Sequence, residues 1–238
     1  VDWPEFRGPT GDGHYTGAKL PTEWGTDTKN IAWKIDIAGK GWSSPVVWKG
    51  KIFLTTAVAQ DKGNFSLRAL ALEAATGKIL WDKEVFLQEA GKSPPAHSKN
   101  SHASPTPATD GELVYVHFGH MGTAALDFAG EIKWKRTGLY AKPVHGNGGS
   151  PILVDDNLIF SIDANDKQEV VALNKKTGET AWSTARNHNS GKPFSFATPH
   201  LIDVNGKRQV LSAGSDIMAG YDPKTGKELW RTKFIGWS

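Results

Sequence analysis

The stretch Ala172-Leu173-Asn174-Lys175-Lys176-Thr177-Gly178-Glu179-Thr180-Ala181-Trp182 decides the fold, because its plan occurs four times in the chain. It stands as Ala71-Leu72-Glu73-Ala74-Ala75-Thr76-Gly77-Lys78-Ile79-Leu80-Trp81, and as Gly220-Tyr221-Asp222-Pro223-Lys224-Thr225-Gly226-Lys227-Glu228-Leu229-Trp230. A version one residue shorter runs from Ala125-Leu126-Asp127 through Ala129-Gly130-Glu131 to Trp134. Each copy reads as the end of one strand, a tight turn whose Gly supplies a positive φ, and a second strand carrying a Trp. With Trp33 ahead of the first copy, the Trp-to-Trp spacings are 48, 53, 48 and 48 residues. That period belongs to propellers and solenoids.

Working outward, each repeat opens on a hydroxyl residue followed by Pro: Ser44-Pro45, Ser104-Pro105, Ser150-Pro151 and Thr198-Pro199. Pro has no backbone donor, so it fits a strand's first residue, and its recurrence marks the start of the innermost strand. Between head and Trp the third repeat holds four apolar runs, Pro151–Val154, Leu158–Ile162, Glu169–Leu173 and Thr180–Ser183, with Asp155-Asp156-Asn157 as a turn. Four short antiparallel strands make one propeller blade.

The chain is therefore predicted to be all-β, a β-propeller with four-stranded antiparallel blades at about 43–86, 103–137, 149–185 and 197–233. These repeats occupy residues 30–238, after an N-terminal extension over 1–29. Asn30–Ile37 matches only the end of a repeat and reads as one extra N-terminal strand. The last repeat owns its closing strand, Glu228–Thr232, and Gly236-Trp237-Ser238 echoes Gly41-Trp42-Ser43. Four complete blades plus one strand describe an open arc of a seven- or eight-bladed propeller, expected to self-associate through its open blade faces. Trp33, Trp81, Trp134, Trp182 and Trp230 are read as structural residues covering the seams between blades, each ring burying on the order of 200 Å².

Composition agrees with many short strands and turns: 26 Gly and 10 Trp in 238 residues, 38% hydrophobic and 22% charged. The net charge of +3 is scattered, so no nucleic-acid patch is expected. There is no Cys, hence neither a disulfide nor thiolate chemistry. No run approaches the roughly 18 apolar residues of a membrane span, and Val1-Asp2-Trp3-Pro4 lacks the features of a signal peptide. Two readings of compartment stand on these residues, cytosolic or a mature exported form whose leader was removed.

The Ala-x-Asp-x-x-Thr-Gly-x-x-x-Trp pattern of the four copies resembles the quinoprotein-type repeat of PQQ-binding-like, BamB-like propellers, over about residues 30–238. The opening Trp3-Pro4-Glu5-Phe6-Arg7-Gly8-Pro9, with Asp12-Gly13 after it, is similar to the N-terminus of exported bacterial proteins of that type. The resemblance implies a periplasmic or secreted protein and usually seven or eight blades. In quinoprotein dehydrogenases of this type, PQQ sits near Ca²⁺, flanked by adjacent Cys residues. With no Cys here, PQQ is not supported as a cofactor, and PQQ-dependent dehydrogenase is the least favoured reading.

Among polar residues, His102, His145 and His200 recur near the innermost strands, where a propeller has its central channel. Around them lie Asn100, Ser101, Asn147, His117 and His120, and the stretch Lys99–Pro105 follows the one long insertion. Asn100, His102, His120, His145, Asn147 and His200 are the candidate ligand-binding set. Neutral imidazoles ligate metals or hydrogen-bond sugars. The competing reading is that these are channel-lining or surface histidines without a ligand. Asp163-Ala164-Asn165-Asp166 has part of a Ca²⁺-loop spacing but lacks the remaining ligands and the Gly of such a loop, and a hairpin turn already explains its Asn and Asp. No metal site is assigned, and no nucleophile elbow, phosphate loop or paired carboxylates name a catalytic residue. The leading expectation is a non-enzymatic binding scaffold with a protein or carbohydrate partner. The alternative is a carbohydrate-binding or metal-assisted enzyme using the histidines.

Overall fold

The computed structural model describes residues 2–17, 19–25, 29–188 and 190–235. Sixteen strands among them form four antiparallel sheets, each ordered as in the sequence. Blade 1 holds β1 (Val46–Trp48), β2 (Lys51–Ala59), β3 (Phe65–Glu73) and β4 (Ile79–Gln88). Blade 2 holds β5 (Ala108–Thr109), β6 (Leu113–His117), β7 (Thr123–Asp127) and β8 (Ile132–Arg136). Blade 3 holds β9 (Ile152–Val154), β10 (Asn157–Asp163), β11 (Gln168–Asn174) and β12 (Thr180–Ala185). Blade 4 holds β13 (His200–Val204), β14 (Lys207–Gly214), β15 (Ile217–Tyr221) and β16 (Glu228–Lys233). The four sheets form an open arc of a β-propeller.

Burial follows from stacking sheet on sheet. A strand with neighbours on both faces buries consecutive residues instead of alternating ones, as β11 does over its five central positions, Glu169–Leu173. Its outer neighbour β12 buries only Trp182 among six residues. Three hydrophobic clusters fill the three seams. Val46, Phe53 and Leu67 meet Val114, Val116 and Phe118 between blades 1 and 2. Tyr115 and Trp134 meet Leu158 and Phe160 between blades 2 and 3. Ile159 and Trp182 meet Val210 and Tyr221 between blades 3 and 4.

At the outer end of each seam one Trp is fastened to the next blade. The indole N–H of Trp81 donates to Phe128 O at 3.0 Å, that of Trp134 to Lys175 O at 2.9 Å, and that of Trp182 to Pro223 O at 3.1 Å. Each acceptor lies in the turn between the third and fourth strands of the following blade. The indole face lies on that turn's glycine: a Cβ on Gly130, Gly178 or Gly226 would stand 2.8, 2.6 or 2.4 Å from the ring. These glycines have φ of +84, +73 and +72°, so positive φ and close approach both demand the missing side chain. The turn shifts the register of every blade at one place, between Ala71/Leu72, Ala125/Leu126, Ala172/Leu173 and Gly220/Tyr221. The carboxylate or amide oxygen of Asp127, Asn174 and Asp222 accepts two following backbone N–H groups and fixes the turn's shape.

Trp33 makes the same contact with blade 1, donating to Ala74 O at 2.9 Å with its ring on Gly77. The expected extra strand around it does not form: Ile31–Ile37 has no ladder pairing. Without a partner strand the segment keeps the Trp contact on blade 1, and the repeat resemblance reports that indole contact instead of β-structure. Trp230, with no following blade among the described residues, folds over its own sheet. It donates to Gln209 Oε1 at 2.6 Å and remains 38% exposed. Gly220, where the three other copies have Ala71, Ala125 and Ala172, leaves space for that indole, which a Cβ there would overlap. The Gly236–Ser238 echo lies outside the described residues.

The inner ends are joined by hydroxyls. Ser44 N donates to Thr106 Oγ1 at 3.0 Å, Thr106 N to Ser150 Oγ at 2.9 Å, and Ser150 N to Thr198 Oγ1 at 3.0 Å. This ladder corrects the reading of the second repeat: its head is Thr106-Pro107, two residues after Ser104-Pro105, and β5 begins at Ala108. Both dipeptides satisfy the pattern, and only the pairing across the seam separates them.

The N-terminal residues, read from sequence as an extension, run as a strap across all four inner strands. Trp3 exchanges two backbone hydrogen bonds with Val47 of β1, and Thr109 N of β5 donates to Pro4 O at 2.8 Å. Leu153 N of β9 donates to Glu5 Oε2 at 3.2 Å, and Gly11 packs on the His200 ring of β13.

Truncating the seam Trp is predicted to unseat two blades at once. Trp134→Ala should lower unfolding free energy by about 3–5 kcal/mol in urea denaturation, and Gly178→Ala should also destabilise. Trp230→Ala, at a half-exposed ring, should fall well below Trp134→Ala; equal losses at both positions would refute the seam role.

Candidate functional site

The hydroxyl ladder forms one wall of a cavity of about 760 Å³ at the inner edge of the arc. Thr106, Ser150 and Thr198 supply the wall, and the strap supplies Phe6 and Arg7. The loop before β13 contributes Phe196, and the chain entering β1 contributes Trp42. The long insertion between β4 and β5 adds His97, Lys99 and Asn100, and the approach to β9 adds His145.

Each polar group here is placed by a specific local constraint. Asn100 spends its whole amide joining the insertion to the approach to β9: Nδ2 donates to His145 O at 3.0 Å and Asn147 O at 3.1 Å, while Oδ1 accepts Ser101 N at 2.8 Å and the Ser104 hydroxyl. His145 has a φ of +64°, costly for a residue with a side chain, and its carbonyl is pinned by Asn100 and by His97 N at 3.1 Å. This fixes an edge-to-face run of rings, His97 to His145 at 5.3 Å and His145 to Phe194 at 5.2 Å, continuing to Phe196 at 5.9 Å. Arg7 is also held at positive φ, +67°, with its guanidinium 5.3 Å from the Phe6 ring centroid.

Of the six candidate residues, the structure brings Asn100 and His145 to this cavity. Asn147 turns away from it: Nδ2 donates to Phe118 O at 3.3 Å, Oδ1 accepts the Tyr140 hydroxyl at 2.5 Å, and His120 Nδ1 lies 3.1 Å from Nδ2. His120 is thereby tied behind the wall. Burial pulls its pKa down to about 4, and its Nε2 has no protein partner. His117 is fully enclosed, bonded to Thr123 Oγ1 at 2.8 Å and stacked on Phe160 at 4.4 Å, with burial lowering its pKa to about 3. His102 stacks on Phe65 at 4.7 Å in a second cavity of about 690 Å³, where burial lowers its pKa. His200 faces the strap at Gly11 in a third cavity of about 150 Å³. The expected ring of His102, His145 and His200 is therefore not assembled.

The Asp163–Asp166 segment does not converge on one point either. Asp163 forms a buried two-point pair with Arg186 at 2.7 and 3.0 Å, while Asp166 accepts Ala141 N and Lys142 N. Among the described residues no three His, Asp or Glu side chains are grouped to hold a metal ion.

Sequence reasoning missed Phe6, Arg7, Trp42, His97 and Lys99. Arg7 and Phe6 lay in an extension with no repeat to give them a position. The hydroxyl wall, by contrast, was announced by the recurring Ser or Thr before Pro.

The strap carries a titratable latch. Glu5 is largely buried, and loss of water raises its pKa from 4.5 to about 7, outweighing the opposing hydrogen bond from Leu153 N. A folded-state pKa above the unfolded one means that the folded form binds the extra proton. That contribution is complete below about pH 4.5 and is lost as pH rises through about 7. Glu5→Gln should match the parent at pH 4.5 and have a higher thermal midpoint at pH 8, and an unchanged difference across that range would contradict the burial.

The sequence model of the family described as outer membrane protein assembly factor BamB matches residues 14–143 and 138–235. The curated BamB of Moranella endobia (strain PCIT) is 28% identical over 159 residues, covering 64% of this chain and 35% of that protein. The crystal structure of BamB from Moraxella catarrhalis superimposes with a TM-score of 0.55 at 18% identity, over 86% of this chain and 56% of that one. Quinohemoprotein alcohol dehydrogenase from Comamonas testosteroni gives 0.57 at 13% identity, over 99% of this chain and 49% of that one. At these identities the two structures show a shared fold. The chain spans about a third of the curated relative and about half of the two solved structures.

Proposed function

The chain belongs to the BamB family of outer membrane protein assembly factors, and on that premise we propose that it is a non-enzymatic scaffold binding a partner protein in an exported, periplasmic bacterial protein. The family match over both halves of the chain is the observation that carries this reading. The name of the M. endobia relative, an assembly factor, supports a protein partner.

The inner cavity is the surface on which we place the contact. Its aromatic rings, Phe6, Trp42 and Phe196, and its few polar groups are the mixture found in recognition clefts, and its volume falls within their usual range of about 300–1,000 Å³. Trp42 is 57% exposed at its rim, where a large amphipathic ring is available to a partner.

The fold is shared with quinohemoprotein alcohol dehydrogenases, in whose family type a calcium ion holds a quinone. A hard divalent cation takes oxygen ligands, typically with Asp or Glu among them. The residues lining this cavity include no carboxylate. The donor set does not fit that pair.

A photo-crosslinking amino acid at Trp42 in the intact protein, in cells, should give a discrete protein adduct, with none from Lys78 on the exposed outer turn. Equal adducts from both positions, or no protein adduct from Trp42, would overturn the reading.

A further inference from the structure

The inner cavity presents donors with nothing to receive them. The oxygens of Thr106, Ser150 and Thr198 each accept a backbone N–H from the preceding blade. A hydroxyl used as an acceptor still has its own proton to give, and among the described residues these three have no acceptor for it. Thr106 and Ser150 are only 2% and 3% exposed, and both line this cavity.

Two exposed cations share the lining. Arg7 and Lys99 both line the cavity, and neither forms an ion pair among the described residues. Arg7 is held there by a left-handed backbone conformation, stabilised by Gly13 N donating to its carbonyl at 2.8 Å. Backbone strain of this kind persists where the surroundings enforce it. No Asp or Glu shares the lining. Three unspent hydroxyl protons, a guanidinium, an ammonium and no carboxylate define a wall complementary to negative charge. The lining also carries the apolar rings of Phe6, Trp42 and Phe196, the first of them 5.3 Å from the Arg7 guanidinium.

We propose that this cavity recognises an acidic, extended peptide segment: a side-chain carboxylate seated between Arg7, Lys99 and the hydroxyl ladder, with a neighbouring apolar side chain on the aromatic rings. This rests on the scaffold reading above and names what the scaffold grips. Two cations are too few to track a phosphodiester backbone, where affinity is built from many phosphate contacts. The aromatic side requires a ligand with an apolar part next to its charge, which a free inorganic anion lacks.

The test is isothermal titration of the protein with a blocked hexapeptide alternating Glu and Phe, against the same peptide with Gln for Glu. The acidic peptide should bind tenfold or more tightly than the neutral one, the scale of a lost charge-assisted hydrogen bond. The double variant Arg7→Gln, Lys99→Gln should lose that preference while keeping the parent's thermal midpoint. Thr198→Val, whose residue sits at the ladder's end, should weaken the acidic peptide without affecting the neutral one. Equal binding of the two peptides, or a preference unchanged in the double variant, would overturn the proposal. So would sulfate binding without peptide binding, which would mark a bare anion site. If the Trp42 crosslink persists in the double variant while the peptide preference never appears, the scaffold reading stands and the acidic specificity falls. Peptide preference without any crosslink would sink the scaffold reading instead.

Discussion

One contact repeats along the arc and the remaining geometry depends on it: an indole N–H donated across a seam to a turn carbonyl of the next blade, with the ring lying on that turn's glycine. A sheet buried on both faces has no intrinsic register relative to its neighbours, because hydrophobic contact is non-directional. A buried N–H that must find an acceptor supplies the direction. The glycine follows from the same requirement, since a Cβ at Gly178 would stand 2.6 Å from the Trp134 ring. Trp and Gly in each copy are therefore the two halves of one joint whose partners lie 44 to 49 residues apart in sequence.

Fixing the outer end of each seam fixes the inner end as well. The blades converge so that the hydroxyl heading one inner strand meets the backbone N–H heading the strand before it. That ladder satisfies donors which strand-to-strand pairing inside a blade cannot reach. It also places three hydroxyl residues in the cavity wall. The strap closes the far side, hydrogen-bonding to β1, β5 and β9 and packing on β13, and delivers Phe6 and Arg7. Structural repetition and the recognition surface are in this way one arrangement seen from two ends, although only the ladder is itself repeated.

The legible part of the sequence was whatever recurred. The Trp period and the recurring turn glycines located all four blades, and in the third repeat the four apolar runs fall within two residues of β9 to β12. Errors arose where recurrence was ambiguous or absent. Ser104-Pro105-Thr106-Pro107 offers two heads, and the insertion before it removed the spacing that would have chosen between them. Asn30–Ile37 carries the Trp of a closing strand without a strand to pair with. His102, His145 and His200 looked alike because each lies near a blade head, yet His102 packs on Phe65 and His200 on the strap, while His145 reaches the main cavity. Side-chain direction at these positions depends on contacts over 40 residues away, such as that of Asn100 with Asn147, and no local pattern records it. The strap was invisible for the same reason, being a single copy whose partners lie on four different strands.

The account turns on the seam indoles being donors to protein and not to water. Hydrogen exchange of the tryptophan Nε1–H groups, followed by NMR in the folded protein, reads that directly. The account predicts strong protection for Trp81, Trp134 and Trp182 and rapid exchange for the exposed Trp24 and Trp42. Exchange of the three seam indoles at the rate of Trp24 and Trp42 would contradict it.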